Sequence, residues 1–343
     1  MAKRILITGG LGFIGSYAVD KFHSEGWEVD VVDNKYSNAI DELPEGVNLY
    51  ECNILDFEFR NHGPYDTILH LASPVGPAGV LKWAGRMGGE IVNDCYWAIE
   101  AALHFDAQLV FYSTSEIYGH RDELCFLDED ADKILVGNYK VRNEYAIGKL
   151  LSEIIVSNTR QAKPELRYNI IRPFNISGAR QQPDGGFVIP RFVRQALAGD
   201  PITVFGDGSQ VRAFTHVQDI VEGTYEIIES GYENEIWCIG NPLNQCSILE
   251  IAQKIVEMTG SDSIIDTVDP KEIYGPMYEE AWDKLPDSSK LRRLTGWYPK
   301  WSIDGIIMDA INYWEYIRKK HSFNHLTTPT YPLDLFSEQS EHD

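Results

Sequence analysis

Residues 7–15 read Ile-Thr-Gly-Gly-Leu-Gly-Phe-Ile-Gly, ITGGLGFIG, and close the apolar run KRILIT that begins at Lys3. Four of these nine positions are glycine, so side chains have been removed where a strand hands over to the helical stretch FIGSYAVDKFHSEG. At such a turn the backbone N–H groups and the helix dipole face outward together, and a pyrophosphate is an anion that fits there. A bare tight turn is the plainer reading of the glycines alone. The residues beyond the turn decide between the two.

Outward from this turn, strand-like runs alternate with helical ones: WEVDVVD, VNLYEC, YDTILHLA, GEIVNDCYWAIEAALHF, AQLVFYS. This is the rhythm of a parallel sheet covered by helices on both faces. It predicts an α/β fold, a Rossmann-type doubly wound parallel sheet. From about Ser177 the rhythm loosens into short strands (PITVF, EIWCIG) and amphipathic helices (FVIPRFVRQALAG, SILEIAQKIVEMTG, IDGIIMDAINYWEYIRKK), which predicts a smaller α/β substrate-binding domain. The expected division is 1–175 for the sheet domain, 176–322 for the smaller domain and 323–343 for an extended tail rich in Pro, Thr and acids. A ligand cleft is expected between the two domains.

Composition narrows the partners. The net charge of -22 repels nucleic acid over most of the surface, so an anionic ligand needs a local cluster of Arg or Lys. No apolar run approaches the ~20 residues that span a bilayer, and the N-terminus enters a strand without a signal-peptide pattern, so a cytoplasmic protein with no membrane partner is expected. Five scattered cysteines, Cys52, Cys95, Cys125, Cys238 and Cys246, contain no CxxC pair, which argues against disulfides and against zinc. No metal is expected. His70 lies inside an apolar strand and reads as a core histidine, and Asp128, Glu129 and Asp130 read as a solvated loop.

The second strand ends in Asp33, at the distance where a carboxylate meets the ribose of a dinucleotide bound over the glycines. Gly9, Gly12, Phe13, Ile14, Gly15 and Asp33 are therefore candidate cofactor contacts, and the acid favours NAD over NADP, although Lys35 stands close by. Asn53 and Ile54 after the third strand can meet the adenine. Leu71, Ala72 and Ser73 after the fourth can flank the cofactor. For these five, ordinary strand-end packing is an equal alternative.

Tyr145 to Lys149 reads YAIGK, and a spacing of four places a phenol and an ammonium on one helical face. Strand QLVFYS leads into Thr114-Ser115-Glu116 at the carboxyl end of the sheet, where such folds meet their ligands. The Lys149 ammonium is expected to lower the phenol's pKa, helped by the positive nicotinamide, so that Tyr145 takes the proton of a secondary alcohol while NAD takes the hydride. The hydroxyl of Thr114 or Ser115 shares that proton.

Together TGGLGFIG, Asp33, TSE and YxxxK resemble the extended short-chain dehydrogenase/reductase family, whose members modify nucleotide sugars with tightly held NAD. The resemblance covers most of the chain, with RPFN, VIPRFVRQALAGDPITVFGDGSQVRAFTHVQDIVEG and DSSKLRRLTGWYPKWSIDGI in its second half. LASP, STSEIYG, RPFN and GDGSQVRAF are closest to the UDP-glucuronate decarboxylases, and ILVGNYKVRNEYAIGK resembles the approach to the catalytic Tyr in the decarboxylase half of the bacterial enzyme that prepares aminoarabinose. The resemblance implies oxidation at C4 of a nucleotide-bound sugar, with decarboxylation of a nucleotide uronate first and 4,6-dehydration or 4-epimerisation as alternatives. A catalytically silent NAD sensor is the non-enzyme alternative. It also implies that Glu116, with a carboxylate beside C5, separates these reactions, and that Asn175, Arg191 and Arg212 contact substrate. Arg212 has three readings: a diphosphate clamp, a partner for a uronate carboxylate, or an ion pair with an acid such as Asp219.

The chain departs from that pattern at Asn53, where the family has Asp, at the Gly-rich loop VGPAGVLKWAGRMGGE, and at Arg191, where the xylose synthases have no charge. Family members commonly pair through the YxxxK helix and the helix before it. The apolar content of IVNDCYWAIEAALHF suits such a homodimer.

Overall fold

Strand β1 (Arg4–Thr8) is apolar through Ile5, Leu6 and Ile7, all fully buried, and its neighbours follow the same logic of strands covered on both faces. In chain order the first half runs α1 (Phe13–Ser24), β2 (Glu28–Asp33), β3 (Asn48–Glu51), β4 (Thr67–His70), α2 (Met87–Phe105), β5 (Gln108–Tyr112), β6 (Phe126–Leu127), α3 (Val141–Ala162) and β7 (Arg167–Pro173). The second half runs β8 (Ile176–Ser177), α4 (Val188–Ala198), β9 (Ile202–Phe205), β10 (Val211–Ala213), β11 (Thr215–His216), α5 (Val217–Glu229), β12 (Glu235–Ile239), β13 (Gln245–Ser247), α6 (Ile248–Thr259), β14 (Ile265–Val268), α7 (Pro270–Tyr274), β15 (Leu285–Pro286), α8 (Ser289–Thr295) and α9 (Ile303–Lys320). This computed structural model describes residues 2–76, 79–121, 123–134, 140–276, 278 and 284–320. The expected tail at 323–343 lies outside the described residues.

Seven strands form one parallel sheet in the order β12-β7-β5-β4-β1-β2-β3. The order in which the chain lays down its strands reverses between β1 and β4, and in open α/β sheets ligands bind at the carboxyl ends of the strands flanking that point. One face is closed by α1 and α5, whose Phe22, Val19, Ile220 and Ile227 join Val31, Val110 and Trp237 in a core. The other is closed by α2 and α3, with Cys95, Ala98, Ala102 and Val156 against Leu6, Ile68 and Phe111.

The sheet takes strands from both sides of residue 175. Strand β12, sixty residues beyond that point, adds to the edge of the sheet beside β7, and α5 packs on α1. The physical reason is that β7 is apolar and needs a partner on its open edge, which EIWCI supplies with Trp237, Cys238 and Ile239 buried. The smaller unit is built instead from α4, α6 and α9 around Ile189, Phe192, Ile251, Ile255, Ile307 and Ile311, with β9 and β14 paired beside them. Helix α6 opens with a capping box between Ser247 and Glu250.

Among the described residues no helix is long and apolar enough to cross a membrane. The five cysteines are free thiols, Cys95, Cys238 and Cys246 being buried. His70 is buried with Nδ1 2.9 Å from Thr8 Oγ1, and burial first, then Lys149, holds it far below the usual histidine range, at about 3. It is a neutral core residue. Glu129 differs from the solvated acid expected: its Oε1 accepts from the Cys238 N–H at 2.7 Å, tying the loop to β12.

Candidate active site

The glycine turn is shaped so that only glycine fits at two points. Gly9 has φ +73°, a left-handed conformation, and a Cβ on it would lie 3.0 Å from Ala72 Cα. A Cβ on Gly15 would lie 2.0 Å from the Gly9 carbonyl oxygen, so the first turn of α1 can seat on β1 only without a side chain. Helix α1 has no side-chain cap and no acid in its first turn. Its first N–H groups thus face a site without competing negative charge, as an anion requires. Phe13 and Ile14 are half-buried at this turn.

Asp33 stands beside the turn, where Oδ2 accepts from Leu11 N–H at 2.9 Å and Oδ1 from Lys35 N–H at 2.7 Å. These bonds fix the carboxylate and leave lone pairs for ribose hydroxyls. Lys35, the nearby cation, pairs with Glu51 at 2.6 Å. It is therefore engaged away from any ribose phosphate. Asn53 Oδ1 accepts from Asn34 Nδ2 at 2.7 Å, and the Ile54 side chain is buried with Val32 and Phe57. Leu71 and Ala72 donate their N–H groups to Thr8 Oγ1 at 3.2 and 3.1 Å, and Ser73 donates to the Pro74 carbonyl at 3.4 Å. A glycine cradle, an uncapped helix and an acid at the end of β2 together fit a dinucleotide.

Across the switch point, Thr114 caps a short turn over Ser115–Tyr118, accepting from Glu116 N–H at 3.2 Å. Thr114 and Ser115 are both buried, and it is Thr114 that hydrogen-bonds Tyr145 of α3. Lys149, one turn further, is buried and donates to the Tyr112 carbonyl at 2.9 Å. Burial lowers its pKa to about 8, against the opposing charge of Asp94 on α2. The expected lowering of the phenol by Lys149 is not what the fold shows. Burial raises Tyr145 above the ordinary tyrosine range against the hydrogen bond from Thr114, while Lys149 donates to the Tyr112 carbonyl.

Glu116 is gripped from two sides. Its Oε2 lies 2.6 Å from Arg142 Nη1 on α3, and its Oε1 lies 2.7 Å from Lys284 Nζ beside β15. Desolvation alone would raise this carboxyl, but the two cations overcome it and hold Glu116 well below the usual carboxylate range. Neither cation was anticipated from the sequence. Arg142 stands three residues before Tyr145 in a helical stretch, a spacing that shares a face and could have revealed it. Lys284 is brought in by a backbone bridge to Arg212 and by the pairing of β15 with β6, for which the sequence carries no local signal.

Arg212, on β10, is buried beside Lys284 and lowers that lysine's pKa through its charge. Asp219 accepts from the N–H groups of Lys300 and Trp301 at 2.9 and 3.1 Å. Arg191, buried on α4, donates to Thr203 Oγ1 at 3.1 Å and lies over the Phe205 ring at 3.9 Å. Phe205 and Tyr145 belong to one apolar cluster with Leu81 and Met87, so Arg191 sits a layer behind the phenol. Asn175, just past β7, has φ +36° and donates to the Ala213 carbonyl at 3.3 Å. The Gly-rich loop is tied to the site as well, since Glu144 accepts from Gly85 and Gly88 N–H at 2.8 and 3.1 Å. Among the described residues no group of His, Cys, Asp and Glu could hold a metal.

The profile of the NAD dependent epimerase/dehydratase family matches residues 5–240. The UDP-N-acetyl-alpha-D-glucosaminuronate decarboxylase of Bacillus cytotoxicus is 34% identical over 324 residues, 92% of this chain and 99% of that protein. UDP-glucuronic acid decarboxylase 1 of Danio rerio is 32% identical over 319 residues, 91% of this chain and 72% of that protein. Among solved structures, a UDP-glucose 4-epimerase of Thermotoga maritima with UDP-glucose superposes with a TM-score of 0.82 at 26% identity, covering 92% of this chain and 99% of that one. With the glycine cradle, the acid-ended second strand and the Tyr145–Lys149 helix already in place, these matches show that the chain belongs to the NAD dependent epimerase/dehydratase family.

Proposed function

We propose that the protein decarboxylates a nucleotide-linked uronate, through a 4-keto sugar held between Tyr145 and Glu116. The observation that carries this reading is the cluster at Glu116: Arg142 and Lys284 each hold one of its oxygens, with Arg212 beside Lys284, in a chain of net charge -22. Such a local basic cluster suits a substrate that brings both a diphosphate and a carboxylate. The curated relatives named as uronate decarboxylases point the same way.

Bound NAD supplies the acceptor for the C4 hydrogen and a positive ring beside the phenol. The residues do the rest. Tyr145, hydrogen-bonded to Thr114, takes the C4 hydroxyl proton, and Lys149 holds its position one helical turn behind. Once C4 is a ketone, the C5 carboxylate belongs to a β-keto acid and leaves as carbon dioxide. Glu116, held ionised, acts at C5, while Arg212 orients the departing carboxylate or the diphosphate. Asn175 and Arg191 shape the sugar end of the cleft. Tyr145→Phe should leave NAD bound and reduce turnover by about 10²–10⁴-fold, because only the proton acceptor is lost.

The test is to incubate the protein with UDP-glucuronate, UDP-N-acetylglucosaminuronate and UDP-glucose separately, and to track carbon dioxide and product mass. Release of carbon dioxide from a uronate supports the reading. A product that keeps its carboxylate, with configuration changed at C4, would replace it with 4-epimerisation, and loss of water from UDP-glucose would replace it with 4,6-dehydration.

We also infer a homodimer. Ile147, Leu151 and Ile154 form an exposed apolar stripe on α3, and Tyr96 is exposed on the adjacent α2. Helices with such faces gain by pairing with a second copy. A monomeric mass by light scattering at micromolar concentration would count against it.

A further inference from the structure

Residues 79–88 belong to the Gly-rich loop in which the chain departs from the family pattern, and the chemistry above gives them no role. They follow β4 and are fixed from two sides. Leu81 is buried with Met87 in the cluster that Tyr145 packs against. Gly85 and Gly88 donate to Glu144, the residue before that phenol, at 2.8 and 3.1 Å. Between these anchors Trp83 reaches Tyr36, with ring centroids 5.4 Å apart and planes at 77°, an edge-to-face contact that aromatic rings prefer. The Arg86 guanidinium lies over the Trp83 ring at 4.2 Å and steadies it.

Both ends of this span adjoin the glycine turn. On one side Ala72 packs so closely on Gly9 that a Cβ there would lie 3.0 Å from it. On the other, Tyr36 stands between Asp33, whose Oδ2 accepts from Leu11 N–H, and Ala39, whose N–H donates to the Leu11 carbonyl at 2.7 Å. A circuit therefore closes at the switch point: from Gly9 to Ala72 by contact, along the chain to Trp83, across the rings to Tyr36, and back to Leu11 by hydrogen bonds. Every joint but one is continuous chain, backbone packing or a hydrogen bond. The exception is the ring pair. Tyr36 is 51% exposed, and the indole N–H of Trp83 has no acceptor among the described residues, so this joint is held by ring contact and is the one that opens at least cost.

We propose that Tyr36 and Trp83 form an aromatic clasp for NAD, which closes residues 79–86 over the dinucleotide turn so that the cofactor enters and leaves only when the two rings part. A cofactor that takes a hydride from C4 and later returns it ends each turnover as it began, and gains nothing by leaving. Escape between the two steps would strand a ketone in the cleft. A closed joint prevents that escape without adding a contact to the reacting atoms. The clasp acts on binding alone, so it stands whichever reaction follows oxidation at C4.

The test measures NAD exchange on the full chain and uses no sugar substrate. Protein carrying radiolabelled NAD is chased with excess unlabelled NAD, escape is timed by rapid gel filtration, and Kd is measured by equilibrium dialysis. Tyr36→Ala should speed escape about 3–10-fold, the size of one aromatic pair, and leave Kd near wild type, because a joint that opens more easily speeds entry and escape alike. Tyr36→Phe keeps the ring and should restore the wild-type rate. Trp83→Ala and the double variant should be no faster than Tyr36→Ala, since one joint is opened only once. Trp83 also packs against the Leu81 cluster, so if Trp83→Ala does not fold, Tyr36→Ala against Tyr36→Phe decides alone. Wild-type escape from Tyr36→Ala would overturn the proposal. Faster escape with Kd weakened in proportion would overturn it as well, making Tyr36 a direct contact of the cofactor, and so would effects of the two alanine substitutions that add.

Discussion

Two carboxylates are drawn onto helix α3 by arginine, and they end in opposite conditions. Glu153, on α3 itself, takes a two-pronged contact from Arg172 of β7, at 3.0 Å to Nε and 2.6 Å to Nη2. The same guanidinium also donates to the Tyr118 hydroxyl at 2.9 Å and the Glu129 carbonyl at 2.8 Å, and both charged side chains are at most 5% exposed. All three guanidinium nitrogens donate there. Glu116 instead receives one cation on each oxygen, from two different elements, and keeps a fifth of its side chain open to the cleft. The first pair closes a layer of the core. The second leaves a part-open charge beside a phenol, which is the arrangement the proposed role of Glu116 requires.

The largest effect should come from breaking the closed pair. Arg172→Met leaves Glu153 buried without its partner, and removing one member of a buried pair costs about 3–5 kcal/mol. The denaturant midpoint should drop accordingly, while kcat of the protein that remains folded stays near wild type. An equal loss in kcat would mean that the core pair also sets the site.

The open pair should behave in reverse. Glu116→Gln keeps the shape and leaves an amide oxygen to accept from one of the two cations, so the denaturant midpoint should drop less than in Arg172→Met, where the buried carboxylate loses its partner altogether. Turnover should fall about 10²-fold, with reduced nicotinamide still forming in a single turnover. The same variant separates the chemistry further. A dehydratase would stall at a 4-keto hexose with its C6 substituent attached, and a 4-epimerase would retain much of its activity and incorporate no deuterium at C5.

Much of this is legible in the chain alone. The seven-stranded sheet follows from alternating apolar runs, and the glycine turn, Asp33 and YxxxK lie within single local segments whose spacing carries their geometry. What escapes reading is non-local. Lys284 reaches Glu116 across 168 positions of sequence, through a two-residue strand and one backbone bridge. Strand β12 joins the sheet from beyond the expected boundary because an apolar edge needed covering, a demand no local pattern announces. Lys149 stands four residues from Tyr145 as expected, yet burial and the Tyr112 carbonyl, not spacing, decide where its charge acts.

A third acid extends the contrast, with the smallest effect. Asp94 of α2 makes no hydrogen bond to the described residues, and burial raises it from its ordinary 3.8 to about 7, with Lys149 opposing and Glu90 reinforcing the rise. It has neither the closed partner of Glu153 nor the double grip of Glu116. A carboxyl whose folded pKa lies above its unfolded one favours folding fully below about pH 4, and this contribution is lost as pH rises through about 7. Asp94→Asn removes the titration. The variant should match the wild type at pH 4 and exceed it at pH 8 by about 1 kcal/mol, the shift being discounted for solvent screening of a part-exposed group. Because the Asp94 charge raises the pKa of Lys149, the variant should also lower that lysine further below about 8. Denaturant midpoints at both pH values provide the check. A difference between the two proteins that is the same at pH 4 and pH 8 would show that Asp94 does not titrate in this range, and would place it with the closed pairs of the core.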